Sequence, residues 1–266
     1  KESLRFFRLA AEQGHPGAQF SLGTMYDRGH GVLQDHKEEA KWYRLAAEQG
    51  HATSQYNLGV MHYYGQAVPQ DYREALKWYL LAAKQGYASA QLSVGEMYHN
   101  GQGIPQDYKE ALKWFQEAAE QGVANAQFRL GLMLTEGHGA PQDFQQAARW
   151  YLRAAEQGES GAQVNYGNLY FNGKGVPQDY AVARKWFEQA AAQGNALAWL
   201  KLGLMYENGL GVPQDYVQAH KAYNLSGAAG ETMAPNRRDS LAKQMTPSQI
   251  AEAQRLARDW TAEKNR

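Results

Sequence analysis

The sequence predicts an all-α solenoid of antiparallel helix pairs, and three observations predict it. Glycine recurs at a fixed step: Gly14, Gly50, Gly86, Gly122, Gly158, Gly194 and Gly230 stand 36 residues apart. Other columns keep the same step, among them Gly23 to Gly203, Gly29 to Gly209, Asp35 to Asp215 and Trp42 to Trp186. Within each unit, apolar residues fall at helical spacing in two blocks, each closed by a glycine. Six complete units fit between Gly14 and Gly230.

The elements follow in order. Residues 1–13 align with 37–49 and place Phe6 in the Trp column, so the chain opens inside the second helix of a repeat whose cap and partner helix would lie upstream. A longer natural protein is therefore expected. The leading helix of the first full unit covers about 16–28, with Ala18, Leu22, Met25 and Tyr26 on one face and Gly29 as its left-handed stop. Turns such as Gly101-Gln102-Gly103-Ile104-Pro105-Gln106 follow, in which Pro105 blocks continuation of the helix.

The trailing helix starts at Asp35, whose carboxylate suits the orphan amides of a first turn, with Glu38 completing a capping box. The box recurs as Asp71 with Glu74, Asp107 with Glu110, Asp143 with Gln146 and Asp215 with Gln218, and fails where Val182 follows Asp179. Tyr72, Ala75, Trp78, Tyr79, Ala82 and Ala83 form the stripe to be buried in the second unit, the Ala pair allowing close helix approach. At the far end Ala222 stands in the Trp column and Ser226-Gly227 in place of the Ala pair, which marks a terminal repeat. A short helix is expected over 239–245. Thr246-Pro247-Ser248-Gln249 then opens a last helix, whose face of Ile250, Ala253, Leu256, Ala257 and Trp260 suits covering the end of the stack. The expected organisation is an array over 1–230, made of a half repeat at 1–14 and six repeats at 15–230, and a helical cap at 231–266.

The run Ala-x-x-x-Leu-Gly-x-x-Tyr-x-x-Gly-x-Gly-Val-Pro-x-Asp, followed by Ala-x-x-Trp-(Tyr/Phe)-x-x-Ala-Ala-x-x-Gly, resembles the Sel1-like repeat, a relative of the tetratricopeptide repeat. The resemblance implies a right-handed superhelical solenoid, a bacterial source, and adaptor or scaffold roles in protein–protein interaction. It also implies that one face of the leading helices lines a concave groove. Periplasmic or secreted placement is favoured on the same ground, while the sequence itself leaves localisation open.

Composition narrows the function classes. Basic and acidic residues balance at 27 each, so no net charge draws the chain to nucleic acid. No apolar run approaches the ~18 residues that a membrane span needs. With no cysteine, disulfides, thiolate zinc sites and cysteine nucleophiles are all removed. Gly173-Lys174-Gly175 has the look of a phosphate loop, but glycine rather than Ser or Thr follows the lysine, and the same glycines serve every unit as helix stops. The histidines at 15, 30, 36, 51, 62, 99, 138 and 220 fall in different columns without zinc-protease spacing, and read as surface or packing residues. The Asp column caps helices rather than catalysing. No catalytic residue, metal ligand or cofactor is expected.

Binding residues are sought where the frame varies. On the leading helices, the face opposite Leu22 and Tyr26 carries Tyr56, Val60, Tyr63 and Tyr64 in the second repeat, and Glu96, His99 and Asn100 in the third. It carries Leu132 and Glu136 in the fourth, and Asn168, Phe171 and Asn172 in the fifth. Aromatic anchors beside amides suit an extended segment or a helix of a partner. The column Tyr56, Leu92, Phe128, Val164 equally suits packing between neighbouring helices. Lys77, Lys113 and Lys185 belong to a solvated face of the trailing helices. The expected function is a non-catalytic, monomeric scaffold or adaptor binding a protein or peptide along the groove. The alternative is a glycan or cell-wall binder, and behind it an enzyme. Some cysteine-rich relatives are associated with penicillin binding, but this chain lacks their cysteine pairs.

Overall fold

A computed structural model describes residues 2–264, with side chains from residue 5 onward; Lys1, Asn265 and Arg266, at the rims of the expected half repeat and cap, lie outside the described residues. Among the described residues every regular element is α-helical. After α1 (Glu2–Glu12) come the pairs α2 (Pro16–Arg28) with α3 (His36–Glu48), α4 (Ala52–Tyr64) with α5 (Tyr72–Lys84), and α6 (Ala88–Asn100) with α7 (Tyr108–Glu120). Then follow α8 (Ala124–Glu136), α9 (Phe144–Glu156), and the pairs α10 (Ser160–Asn172) with α11 (Tyr180–Ala192) and α12 (Ala196–Asn208) with α13 (Tyr216–Ala228). α14 (Ala234–Ala242) and α15 (Pro247–Lys264) close the chain. Two compact units result, Lys1–Pro141 and Gln142–Arg266, and each is a helical solenoid of the kind that the 36-residue step predicts.

Each trailing helix begins at its Asp, held in extended backbone, with the carboxylate accepting from amides two or three residues on. The reciprocal half of the expected capping box is replaced in α3, α5 and α7. Glu38 accepts from Lys41 Nζ at 3.2 Å and from the Trp42 indole at 3.1 Å, and Glu74 pairs with Lys77 at 3.2 Å. Glu110 lies 3.9 Å from Lys113. A lysine three residues on offers the glutamate a charged partner on its own helix face, which the neutral cap amide does not match. Asp179, with no Gln or Glu after it, still accepts from the Ala181 and Val182 amides, so the aspartate alone carries the cap. A full reciprocal box forms at the start of α15, where Thr246 N donates to Gln249 Oε1 at 2.9 Å and Gln249 N donates back to Thr246 Oγ1 at 3.3 Å.

The contact between the two helices of a repeat is made by a glycine. A Cβ placed on Gly23, Gly59, Gly95, Gly167 or Gly203 would stand 2.5–2.7 Å from the ring of Tyr43, Tyr79, Phe115, Phe187 or Tyr223 respectively. Those rings are among the best buried groups in the molecule, at 0–4% exposure, and the missing Cβ lets them lie flat on the leading helix. The Trp column flanks them. Trp42, Trp78 and Trp114 are buried, and Trp150 and Trp186 half-buried. Lys41, Lys77 and Lys113 ride over the first three indoles at 5.4–5.9 Å with their ammonium groups in solvent.

Repeats are joined by a hydrogen-bonded ladder of glutamines that the sequence reading missed. Gln19, Gln55, Gln91 and Gln163 are each 4% exposed. Their Nε2 groups donate back to the carbonyls of Ala11, Ala47, Ala83 and Ala155 at 3.0–3.3 Å. Their Oε1 atoms accept from Gln49, Gln85, Gln121 and Gln193 at 2.6–2.9 Å. The next rung would need Gln at 199 and 229, where Trp199 and Ala229 stand instead. Trp199 packs edge-on against Trp260 of α15, with centroids 5.1 Å apart. The ladder thus gives way to an aromatic contact where the last segment docks.

That segment departs from expectation in one respect. The short helix expected over 239–245 runs over Ala234–Ala242, because Pro235 in its first turn fixes a helical φ and has no amide to leave orphaned. Its Ala234 and Leu241, with Met245 and Ala253, pack on Leu200, Ala219 and Tyr223 of α12 and α13. Of the expected face of α15, Ala253 and Ala257 are buried while Ile250, Leu256 and Trp260 are half-buried.

Two substitutions test this frame with opposite signs. Gly95→Ala must displace the Phe115 ring, and a loss of about 1–3 kcal/mol is expected in urea unfolding, recovered in part by adding Phe115→Leu. Ala67 occupies the loop column of Gly103, Gly139 and Gly175 and holds a left-handed φ of 59°. Ala67→Gly is therefore expected to raise the free energy of unfolding by about 0.5–1 kcal/mol in the same titration.

Candidate functional site

In the first unit, the varying face of the leading helices opens into a cavity of about 300 Å³ lined by Tyr56, Val60, Tyr63 and Tyr64 of α4, Tyr79 of α5, and Ser89, Leu92, Ser93 and Glu96 of α6. Five of the residues singled out from sequence, Tyr56, Val60, Tyr63, Tyr64 and Glu96, are brought together there. Tyr79 forms the floor; as the ring lying on Gly59 it belongs to the frame, which is why a search among variable columns passed it over. Ser93 lay outside the chosen columns as well.

The tyrosines differ in how firmly they are held. Tyr56 packs on Tyr79 at 5.6 Å and on Tyr87 at 5.2 Å between ring centroids. Burial pushes the Tyr56 and Tyr79 hydroxyls above the usual phenol range, with Ser93 acting in the opposite direction on both, so each stays a neutral hydrogen-bonding group. Tyr63 stacks edge-on against Tyr72 at 5.2 Å, and its hydroxyl donates to Gln102 Oε1 at 3.0 Å in the following loop. Tyr64 leans on Tyr63 at 4.9 Å and is otherwise open, 64% exposed. At the opposite wall Glu96 meets Arg129 of α8 at 3.3 Å, both partly in solvent.

The remaining candidates lie outside this cavity. His99 packs on Tyr108 at 5.3 Å, and its Nδ1 lies 3.0 Å from Asn100 Oδ1. Leu132 is half-buried, and Glu136 stands 3.0 Å from His138 Nδ1. In the second unit Phe171 packs on Tyr180 at 5.2 Å and Phe187 at 6.3 Å, with Lys201 over its ring at 5.6 Å. Phe171 is thus framework as much as lining. Asn168 keeps a buried Oδ1 with no hydrogen-bond partner, while Asn172 is exposed and donates to the Asn168 carbonyl at 2.8 Å. Val164, from the column suited to packing, is buried.

A second cluster was not foreseen from the scattered histidines. Asp27, His36 and Glu39 bring their ligand-type atoms within 4.8 Å of one another, with His36 Nδ1 at 2.7 Å from Glu39 Oε2. The hydrogen bond with Glu39 draws the His36 imidazole upward, and burial raises the Glu39 carboxyl.

Uniform helix pairs recurring at a fixed step, with a variable face of aromatic and amide groups, define an α/α repeat protein. The Sel1 repeat model matches residues 1–15, 16–51, 52–87, 88–123, 124–159, 160–195 and 196–230, and the chain belongs to that family. It is similar to the crystal structure of a protective antigen present in uropathogenic Escherichia coli strains, which displays an SLR fold. That match has 36% identity and a TM-score of 0.85 over 96% of this chain and 56% of the other, so this chain spans little more than half of that relative. A Sel1 repeat protein from Oxalobacter formigenes matches at 36% identity and a TM-score of 0.71, over 81% of this chain and 89% of its own. A comparison with curated protein sequences returns no match. Protein interaction is the typical role of the family. Among the described residues no helix is long and apolar enough to cross a membrane.

The differing support of the two neighbouring tyrosines yields a prediction. Tyr64→Ala should change stability by no more than about 0.5 kcal/mol, whereas Tyr63→Ala, which removes a ring packed on Tyr72, should cost about 1–3 kcal/mol in denaturant unfolding.

Proposed function

We propose that this chain is a non-catalytic, monomeric scaffold that binds a segment of another protein along the variable face of its leading helices, with the tyrosine-lined cavity between α4 and α6 taking an anchoring side chain. The observation that carries this reading is the exposed Tyr64 standing over a cavity whose floor is a buried, rigid frame ring, Tyr79. Tyrosine supplies large contact area at small entropy cost, and the packed Tyr56 and Tyr63 leave little to be ordered on binding. Glu96 at the rim offers an acceptor for a backbone amide or a cation. The corresponding face of the second unit, with Asn168, Phe171 and Asn172, is proposed to bind in the same manner. His99, Asn100, Leu132 and Glu136 extend the face of the first unit.

Peptides selected against the full chain by display are the test. Tyr64→Ala should weaken the selected peptides by about 2 kcal/mol, on the order of thirtyfold, without loss of fold. Replacing Lys77, Lys113 and Lys185 by Ser, all three exposed on the trailing helices, should leave affinity within about twofold. Loss of binding in the lysine variant with normal binding by Tyr64→Ala would place the partner on the other face. Capture of cell-wall glycans in place of peptides would favour the glycan reading.

A further inference from the structure

We propose that Asp27, His36 and Glu39 form a binding site for a single zinc-class divalent cation at the junction of α2 and α3. The repeats themselves supply the argument, because each column shows what its position needs when it serves only the frame. The residue three positions into the trailing helix is Ala75, Ala111, Ala147, Ala183 and Ala219 in the other units, all of them 0% exposed. In the first unit it is Glu39, still only 7% exposed. The first residue of the trailing helix is aromatic elsewhere, as Tyr72, Tyr108, Phe144, Tyr180 and Tyr216, and here it is His36. Two frame columns therefore change in the same repeat, and both change to metal-ligating side chains.

These two departures meet a third ligand from the other helix. Asp27 lies in the last turn of α2, and the three donor atoms fall within 4.8 Å of one another. The turn that brings them together is fixed by hydrogen bonds of its own: Asp35 N donates to the Tyr26 carbonyl at 3.1 Å, and Gln34 Nε2 donates to the Asp27 carbonyl at 2.7 Å. Metal–ligand bonds of about 2.0–2.2 Å put tetrahedral donors about 3.4 Å apart, so the ion would take the place of the proton between His36 Nδ1 and Glu39 Oε2, these two atoms parting from 2.7 Å while the Asp27 carboxylate turns toward them.

Electrostatics points the same way. A buried carboxylate in a methyl-sized column costs desolvation that the alanine repeats avoid, and a second carboxylate alongside adds repulsion. One imidazole offsets at most a single charge. A divalent cation offsets both, and lets the imidazole act as a neutral ligand. One nitrogen and two oxygens suit zinc with an open position for water. The imidazole argues against magnesium or calcium, and the lack of thiolate against copper(I).

The test uses the full chain, stripped with a chelator and titrated calorimetrically with ZnCl2, and with CoCl2 for its absorption spectrum. Glu39→Ala restores the frame residue of the other repeats and so keeps the fold, while Asp27→Asn removes one charge at a half-buried position. The expected result is one strong equivalent of zinc and a thermal midpoint raised by zinc. Affinity should fall about tenfold or more in both variants, and stay unchanged in His30→Ala, an exposed histidine outside the cluster. Failure of the unaltered chain to bind zinc, or zinc binding by either variant as strong as in that chain, overturns the proposal.

Discussion

The structure depends on the close approach of a glycine in α2, α4, α6, α10 and α12 to an aromatic ring in the trailing helix that follows. With no Cβ at Gly59 or Gly95, the Tyr79 and Phe115 rings reach the helix backbone, and the two helices of a repeat come near enough for the alanines beside those rings to vanish from solvent. Glycine inside a helix costs roughly 1 kcal/mol against alanine. Here that cost is exchanged for burial of a whole ring. Everything else in the repeat is placed by this contact: the Trp that flanks the ring, the loop that must turn back within a few residues, and the Asp that restarts the chain.

Much of this was legible from spacing alone, because frame positions repeat and chance does not. The 36-residue step, the Asp caps and the glycine stops each reflect a local rule that acts within a few residues, and local rules leave local signatures. What stayed hidden depended on partners distant in the chain. Gln19 and Gln49 are thirty residues apart, and a polar residue on a helix reads as solvated until its carbonyl partner at Ala11 is seen. Glu38 and Glu74 were expected to reach back to their caps, and turn instead to the lysines on their own faces. The candidate site was legible in part: the columns yielded Tyr56, Val60, Tyr63, Tyr64 and Glu96, but not the frame ring beneath them.

Frame and function are less separable than a column-by-column reading implies. Tyr63 and Phe171 stand at variable positions, yet each packs on the first aromatic residue of the next helix and so helps to hold it. Glu39 stands at an invariable position of the other repeats and brings chemistry there. Surface variation and frame substitution are two routes by which a repeat acquires a property its neighbours lack. The second is the more conspicuous, since the other copies in the same chain serve as the reference.

The glutamine ladder bears on how such chains change length in evolution. Each rung takes a carbonyl from the unit before and an amide from its own unit, so a duplicated or deleted whole repeat leaves every rung complete. An event within a helix that shifts a rung glutamine off its partners strands a buried amide, which costs about 1–3 kcal/mol at one stroke. Exchange of whole periods is thereby the change that leaves the ladder untouched. The exchange of both rung partners for Trp199 and Ala229 leaves the sixth unit without a rung of its own, and there the Trp199–Trp260 contact with the last helix stands in its place.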